Sequence, residues 1–102
     1  MSNEVNNKYS WHPGKREQNI KERGLDFVEL ADDVFADPNV AIEVDPRPYG
    51  GEVRFLAFGM VRGARLCLCY TPRGVRLHLI TIYKVNERLW RKHYGRNSLH
   101  DI

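Results

Sequence analysis

The sequence predicts an α+β fold in which helices cover one face of a β-sheet. Apolar residues recur with helical spacing between positions 27 and 35, and the chain alternates with a period of two from position 53 to position 82. At 102 residues the chain is long enough for one hydrophobic core. We therefore expect a single domain over residues 9–102, preceded by a flexible polar lead-in over residues 1–8.

The composition disfavours membrane and secreted proteins and leaves nucleic-acid binding open. The net charge of +3 and the pI near 9.0 are only mildly basic, which by itself is weak support for a nucleic-acid partner. No apolar stretch approaches the roughly 20 residues that a membrane helix needs, and the N-terminus has no apolar signal core. Cys67 and Cys69 suit an intrachain disulfide poorly and are consistent with a reducing compartment. We expect a cytoplasmic protein without a membrane segment.

A short aromatic strand and a polar helix are predicted first. Tyr9–Trp11 is expected as an edge strand, and Pro13 fits the first position of a helix because its missing N–H needs no partner there. His12 stands at the cap position, where capping explains it better than catalysis. The helix is expected to run to about Arg23 and to stop at Gly24.

The second helix has the clearest pattern in the chain. Asp26 and Glu29 have the spacing of a capping box, and Asp37-Pro38 ends the helix. The apolar stripe must pack against another element, and it consists of Phe27, Leu30, Ala31, Val34 and Phe35.

Strands and tight turns are predicted after the second helix, followed by a last helix. Turns are expected at Arg62-Gly63 and over Thr71–Gly74, where Pro and Gly favour a type I turn. The last helix begins at the Asn86 cap and runs to about Tyr94. The predicted strands are Val40–Val44, Val53–Val61, Arg65–Tyr70 and Val75–Ile82.

If both turns are tight, their lengths set the strand register and the two faces of the sheet. The predicted pairs are Val61 with Ala64, Phe58 with Cys67, Tyr70 with Val75, and Cys67 with His78. The face beneath the helices is apolar and carries Val53, Phe55, Ala57, Leu66, Leu68, Tyr70, Val75, Leu77 and Leu79. The second face is mixed and carries Arg54, Leu56, Phe58, Cys67, Cys69, Arg76 and His78.

Six polar residues near this second face are candidates for RNA cleavage by the ribose 2′-hydroxyl. That reaction needs a base, an acid and cations that stabilise the phosphorane. Glu52, His78 and Tyr83 can move protons, whereas Arg54, Arg76 and Lys84 can hold the phosphate. Aromatic faces on which bases could stack are offered by Phe58, Tyr83 and Trp90.

Other interpretations stay open from the residues alone. The basic trio could be a solvated surface, and Leu56 and Phe58 could be buried by a partner or by the last helix. Cys67, Cys69 and His78 lie close in the predicted register, but three ligands without finger spacing are weak support for a metal site. We expect no metal and no cofactor.

Short motifs follow one another over most of the chain, from about Tyr9 to Tyr94. The first half contains Trp11-His12-Pro13, Lys15, Asn19, Gly24, Phe27, Ala31, Val34-Phe35 and Asp37-Pro38. The second half contains Tyr49-Gly50-Gly51-Glu52-Val53-Arg54-Phe55, Phe58-Gly59, Tyr70-Thr71 and Arg73-Gly74. No single motif is specific, but their order resembles that of the BrnT toxin family.

The resemblance implies a RelE-like fold, with two N-terminal helices on a twisted antiparallel sheet and a C-terminal helix. It implies an endoribonuclease toxin of a type II toxin–antitoxin system, neutralised by a BrnA-like ribbon-helix-helix antitoxin through which the complex contacts operator DNA. A homodimer or a two-plus-two complex with the antitoxin is also implied. Glu52 and Arg54 match the family's Glu-x-Arg motif, and Lys84 matches a basic residue of its last strand.

Two functions remain open, because His78 and Tyr83 stand where the resembled family has arginines. In the first hypothesis, the chain is a metal-independent endoribonuclease. Arg54, Arg76 and Lys84 hold the phosphate, and either His78 or Tyr83 acts with Glu52 on the protons. In the second, the altered strand has weakened or abolished catalysis, and the chain is a binding module that acts as a corepressor with its antitoxin.

Overall fold

The computed structural model describes residues 2–47 and 50–95, which contain six strands and three helices. The predicted α+β class is confirmed. The motif residue Tyr49 and the C-terminal residues 96–102 lie outside the described residues. The elements in chain order are β1 (Glu4–Val5), β2 (Tyr9–Trp11), α1 (Pro13–Arg23), α2 (Phe27–Ala36), β3 (Ala41–Val44), β4 (Phe55–Val61), β5 (Ala64–Arg73), β6 (Arg76–Lys84) and α3 (Glu87–His93).

The six strands form one mixed sheet with the order β1-β2-β6-β5-β4-β3. Four of the five neighbouring pairs are antiparallel, but β2 lies parallel to β6, with Ser10 opposite His78. The expectation of a purely antiparallel sheet is therefore wrong at this pair. β2 is also not an edge strand, because β1, within the predicted lead-in, pairs with its outer side.

Helices α1 and α2 pack on one face of the sheet, which we call the first face. Their predicted caps are confirmed: Nδ1 of His12 accepts a hydrogen bond from the Gly14 N–H at 3.1 Å, and Asp26 accepts one from the Val28 N–H at 3.0 Å. Gly24 ends α1 with a φ of +68°. Because β1 and β2 precede both helices, the expected N-terminal position of the helices is not confirmed. None of the helices in the described residues is long and apolar enough to cross a membrane.

The β4–β5 hairpin has the predicted register, with Val61 opposite Ala64 and Phe58 opposite Cys67. Its two turn residues, Arg62-Gly63, have φ angles of +48° and +80°. Positive φ at both positions is typical of the tight turn that matches the twist of antiparallel strands.

The predicted β5–β6 register is wrong. β5 continues through Arg73 and the turn is Gly74-Val75, so His78 lies opposite Thr71 and not opposite Cys67. The glycine has a φ of +59°, as the first position of a tight two-residue hairpin requires. The valine was predicted on the apolar face, but it lies at the tip of the hairpin and is 93% exposed. Val53 was placed on that face too, but it precedes β4 and is 55% exposed.

A β-bulge at Ile80 reverses the alternation of side chains in the second half of β6. Leu79 and Thr81 lie opposite consecutive residues of β5, so the residue between them is extra. As a result, Ile82 is fully buried beneath the helices, and Tyr83 lies on the other face of the sheet.

Helix α3 covers one end of the other face, which we call the second face. The Phe58 ring is 2% exposed and stacks on His93, with 4.7 Å between the ring centroids. Trp90 is buried and stacks on Tyr94. Of the two possibilities left open by the sequence, burial by the last helix is therefore the one that the structure shows. This covered end consists of Ala41, Phe58, Cys67, Val85 and Trp90, with Leu56, Tyr83 and Tyr94 packed around them.

Asn19 of α1 replaces a neighbouring strand along the outer edge of β6. β2 pairs with β6 only as far as Leu79. Beyond that point the Asn19 side chain accepts a hydrogen bond from the Ile82 N–H at 3.2 Å and donates one to the Ile82 carbonyl at 2.9 Å. The amide thus satisfies the buried Ile82 N–H and shares the Ile82 carbonyl with the Arg23 guanidinium, which donates to it at 3.2 Å.

Candidate functional site

The part of the second face that α3 leaves uncovered, which we call the open end, carries a carboxylate between two guanidinium groups. The Glu52 carboxylate lies 3.5 Å from Nε of Arg54 and 3.2 Å from Nη2 of Arg73. These arginine side chains are 26% and 45% exposed. A solvent-borne anion can therefore reach the cations, although the internal carboxylate already engages both.

His78 lies beside these charges and is almost fully buried. It is 6% exposed, and its Nδ1 lies 2.8 Å from Oγ of Ser10 on the parallel strand β2. Burial first, and then the charge of Arg73, lowers the pKa of His78 below its ordinary value of 6.5. The ring is therefore neutral at pH 7, which makes it a candidate proton acceptor and a poor acid.

Arg76 lies on the same face as His78, because the two residues are two positions apart on β6 before the bulge. Its Nε donates a hydrogen bond to the Asn6 carbonyl at 2.7 Å, so its guanidinium is held at the β1–β2 loop. The predicted trio of Arg54, Arg76 and His78 thus shares one face of the sheet, although the register used to predict this was wrong.

Tyr83 and Lys84 lie elsewhere. They are five and six residues along β6 from His78, which corresponds to roughly 16 and 20 Å of strand. The Tyr83 side chain packs in the covered end opposite Cys67, and burial raises the pKa of its hydroxyl above the ordinary value. Lys84 lies opposite Leu66, next to the β4–β5 turn. The six predicted site residues are therefore not brought together: Tyr83 lies on the second face in the covered end, and Lys84, opposite Leu66, lies on the first face.

Two of the three aromatic residues proposed to stack on bases have no open ring face. Phe58 stacks on His93, and Trp90 stacks on Tyr94, both within the covered end. The third, Tyr83, has the Arg23 guanidinium 5.7 Å from its ring centroid. The structure therefore uses these rings for packing.

Two residues of the open end were not singled out from the sequence. Arg73 was assigned to a turn, although it belongs to the Tyr-Thr-x-Arg motif, which is the signal that could have drawn attention to it. Ser10 pairs with a residue 68 positions away, and no local pattern in the sequence indicates such a parallel pairing.

The interpretation of Cys67, Cys69 and His78 as metal ligands depended on the register that proved wrong. His78 lies opposite Thr71, four residues along β5 from Cys67. Both cysteines are buried free thiols, and burial raises the pKa of Cys67 to about 11. Within residues 2–47 and 50–95, no group of three or more His, Cys, Asp or Glu residues is arranged to hold a metal ion.

Comparison with known families gives one finding. A model of the ribonuclease toxin BrnT, of type II toxin–antitoxin systems, matches residues 11–88, a segment that runs from the last residue of β2 into α3 and includes Glu52, Arg54, Arg73 and His78. Searches of curated proteins and of solved structures gave no match. Since the matched segment covers most of the 102 residues, the chain belongs to the BrnT family of ribonuclease toxins of type II toxin–antitoxin systems.

Proposed function

We propose that the chain is a metal-independent endoribonuclease whose reaction centre is the open end. The observation that carries the proposal is the Glu52 carboxylate held between Arg54 and Arg73, next to a neutral His78. Arginines in this position suit an RNA phosphate, since a guanidinium presents several donors to anionic oxygens. Arg76, on the same face, is our third candidate for phosphate contact.

In the proposed reaction, the ribose 2′-oxygen attacks phosphorus and the bond from phosphorus to the 5′-oxygen breaks. Glu52 takes the 2′-hydroxyl proton, because its carboxylate is more exposed than the His78 ring. Arg54 and Arg73 stabilise the charge on the phosphorane. His78 is neutral and therefore a poor proton donor, so we assign protonation of the leaving 5′-oxygen to a water molecule, and Glu52 then returns its proton to the resulting hydroxide. The products are a 2′,3′-cyclic phosphate and a 5′-hydroxyl.

Membership of a type II family implies an antitoxin partner. We propose in addition that this antitoxin is a BrnA-like ribbon-helix-helix protein, that it links the toxin to operator DNA, and that the complex is two-plus-two. A RelE-like arrangement of the core and a cytoplasmic location belong to the same proposal. Co-purification of the chain with the product of a neighbouring reading frame, followed by mass measurement of the complex, tests the partner and the stoichiometry.

The test of catalysis compares purified variants on single-stranded RNA in the presence of EDTA. We expect the wild-type chain to cleave RNA and Arg54→Ala to be slower by about 10²- to 10³-fold, the usual effect of removing one group that stabilises a transition-state oxyanion. The matched control is Arg91→Ala, which removes a 77%-exposed arginine from α3. The proposal is wrong if RNA stays intact with wild-type protein, or if both variants cleave at the wild-type rate.

A second candidate function is a non-catalytic binding module that acts as a corepressor. It is favoured by the separation of Tyr83 and Lys84 from His78, which divides the predicted catalytic set. Expression without antitoxin distinguishes the two functions. A ribonuclease arrests growth and Arg54→Ala relieves the arrest, whereas a binding module leaves growth unchanged while it still forms the antitoxin complex.

A further inference from the structure

We propose that a second, separate site binds the phosphate backbone of the RNA, at the end of the sheet opposite the β5–β6 hairpin. This site, which we call the basic groove, has a volume of about 430 Å³. The inference rests on the proposed ribonuclease function and adds an anchoring site for the strand outside the reaction centre. The groove is lined by Arg62, Gly63, Ala64, Arg65, Lys84 and Val85.

The charges of the lining residues all have one sign. Three of the six carry a positive charge, and none is acidic. Within residues 2–47 and 50–95, neither Arg65 nor Lys84 has an ion pair or a side-chain hydrogen bond. Arg62 is 81% exposed and reaches Asp33 only at 3.4 Å, and such an exposed pair contributes at most about 1 kcal/mol. The cations are therefore available to an external anion.

The fold brings these cations together from three positions in the chain. Arg62 lies in the tight β4–β5 turn, between the end of β4 and the start of β5, and its side chain is exposed. Arg65 and Lys84 lie on adjacent strands, and the Arg65 carbonyl accepts a hydrogen bond from the Val85 N–H at 2.9 Å. Because this backbone is paired, the positions from which the side chains project are fixed before a ligand arrives.

The chemistry of the groove favours a phosphate backbone over a protein surface. The uncharged lining residues are small, and the groove offers no aromatic side chain of the kind that anchors protein interfaces. Arginine and lysine side chains, by contrast, are the usual partners of phosphate oxygens. An acidic segment of the antitoxin is the competing occupant, and the experiment below separates the two.

The distance between the groove and the open end determines how long an RNA must be for the groove to increase its affinity. Lys84 lies six residues along β6 from His78, roughly 20 Å of strand. A four-nucleotide RNA centred on the open end extends only two nucleotides to either side and should not reach the groove, whereas an RNA of twelve nucleotides has the length to contact both. The groove should therefore increase the affinity for the longer strand alone.

The test measures binding of uncleavable 2′-O-methyl RNA of four and twelve nucleotides to the full chain at several salt concentrations. For the double variant Arg65→Gln/Lys84→Gln, we expect the Kd of the twelve-nucleotide RNA to rise by about tenfold or more and the Kd of the short RNA to stay within about twofold. A plot of the logarithm of the binding constant against the logarithm of the salt concentration should become less steep for the long RNA by about 1.4. Each lost phosphate contact on a single strand contributes about 0.7 to this slope, and the variant removes two contacts.

The control is Lys8→Gln/Lys21→Gln, which removes two exposed cations outside the groove and should keep the wild-type affinity for both RNAs. Equal effects of the two double variants, or no preference of the wild type for the longer RNA, would overturn the inference. So would loss of antitoxin binding in Arg65→Gln/Lys84→Gln with unchanged RNA binding. The RNA in this binding test cannot be cut, so the measured affinity does not depend on catalysis. If the chain failed to cleave RNA in a separate assay, the proposed reaction would be refuted, but the binding of RNA to the basic groove would not.

Discussion

The covered end and the open end belong to the same face of the sheet, yet they have opposite properties. At the covered end, Phe58 and Cys67 are buried under α3 and make no contact with solvent beyond a few per cent of their surface. At the open end, Glu52 and Arg73 are accessible to solvent and form an ion pair, with 3.2 Å between the carboxylate and the guanidinium. One half of the face is used for stability, and the other half is available for chemistry.

This difference shows that the position along a strand matters as much as the face. Alternation places every second residue of β5 on the second face, but α3 reaches only part of the strand. Cys67 is therefore a core residue, and Arg73, on the same strand and the same face, is a candidate site residue. Four experiments test whether the two ends differ in this way.

The first is Trp90→Ala, at the covered end. Trp90 is 6% exposed and belongs to the apolar cluster under α3, so we expect the free energy of unfolding to fall by about 3–5 kcal/mol. Urea denaturation measures the loss. Leu89→Ala, on the same helix but 38% exposed, is the control and should lose less than about 1.5 kcal/mol. Equal losses would mean that α3 does not stabilise the sheet.

The second is Glu52→Gln, at the open end. We expect RNA cleavage to slow by about 10²-fold, because the proposed proton acceptor is lost. Stability should change by less than about 1 kcal/mol, since the Glu52 ion pairs are partly exposed. Glu17→Gln, an exposed carboxylate of α1, is the control. A loss of stability similar to that of Trp90→Ala would show that the open end is structural.

The third is the dependence of stability on pH. The pKa of His78 is lowered in the folded state, so the unfolded chain binds more protons once the pH falls below about 6.5. The melting temperature should therefore decrease between pH 7.5 and pH 5.5. His78→Asn keeps a side chain able to hydrogen-bond Ser10 and should show a smaller decrease. An identical decrease in both proteins would exclude His78 as its source.

The fourth is the reactivity of the buried thiols. Burial raises the pKa of Cys67 to about 11, so at pH 8 a thiol reagent should modify it slowly in the folded chain. Trp90→Ala should accelerate the reaction by about tenfold or more, since local opening of α3 exposes the sulfur. Leu89→Ala should react at the wild-type rate. Rapid modification of the wild-type chain would show that the covered end opens without mutation.

Much of the fold could be predicted because its signals are local. The cap of α2 at Asp26, the end of α1 at Gly24 and the β4–β5 turn depend on residues within four positions of one another. The β5–β6 register could not be predicted in the same way, because two turns were compatible with the Pro-Arg-Gly-Val sequence. The parallel pairing of β2 with β6 joins residues about 68 positions apart and has no local signature.

The candidate site was predictable only in part, for a reason that lies in β6. The register error amounted to four positions, an even number, so Arg76 and His78 stayed on the predicted face. The bulge at Ile80 then reversed which residues of β6 face each side of the sheet, so Tyr83 lies on the second face. Lys84 is the last residue of β6 and therefore lies at the end of the strand away from His78. Periodicity alone cannot indicate an extra residue, because the bulge interrupts the alternation on which such predictions depend.

The amide of Asn19 has a consequence for how this sheet meets other chains. Free N–H and C=O groups along an outer strand are places where a foreign strand can attach and where aggregation can start. By holding both polar groups of Ile82, a helix side chain closes β6 to such attachment beyond the end of β2. A substitution of Asn19 would remove both of its hydrogen bonds to the Ile82 backbone and would leave a stretch of β6 able to recruit a strand from a neighbouring molecule.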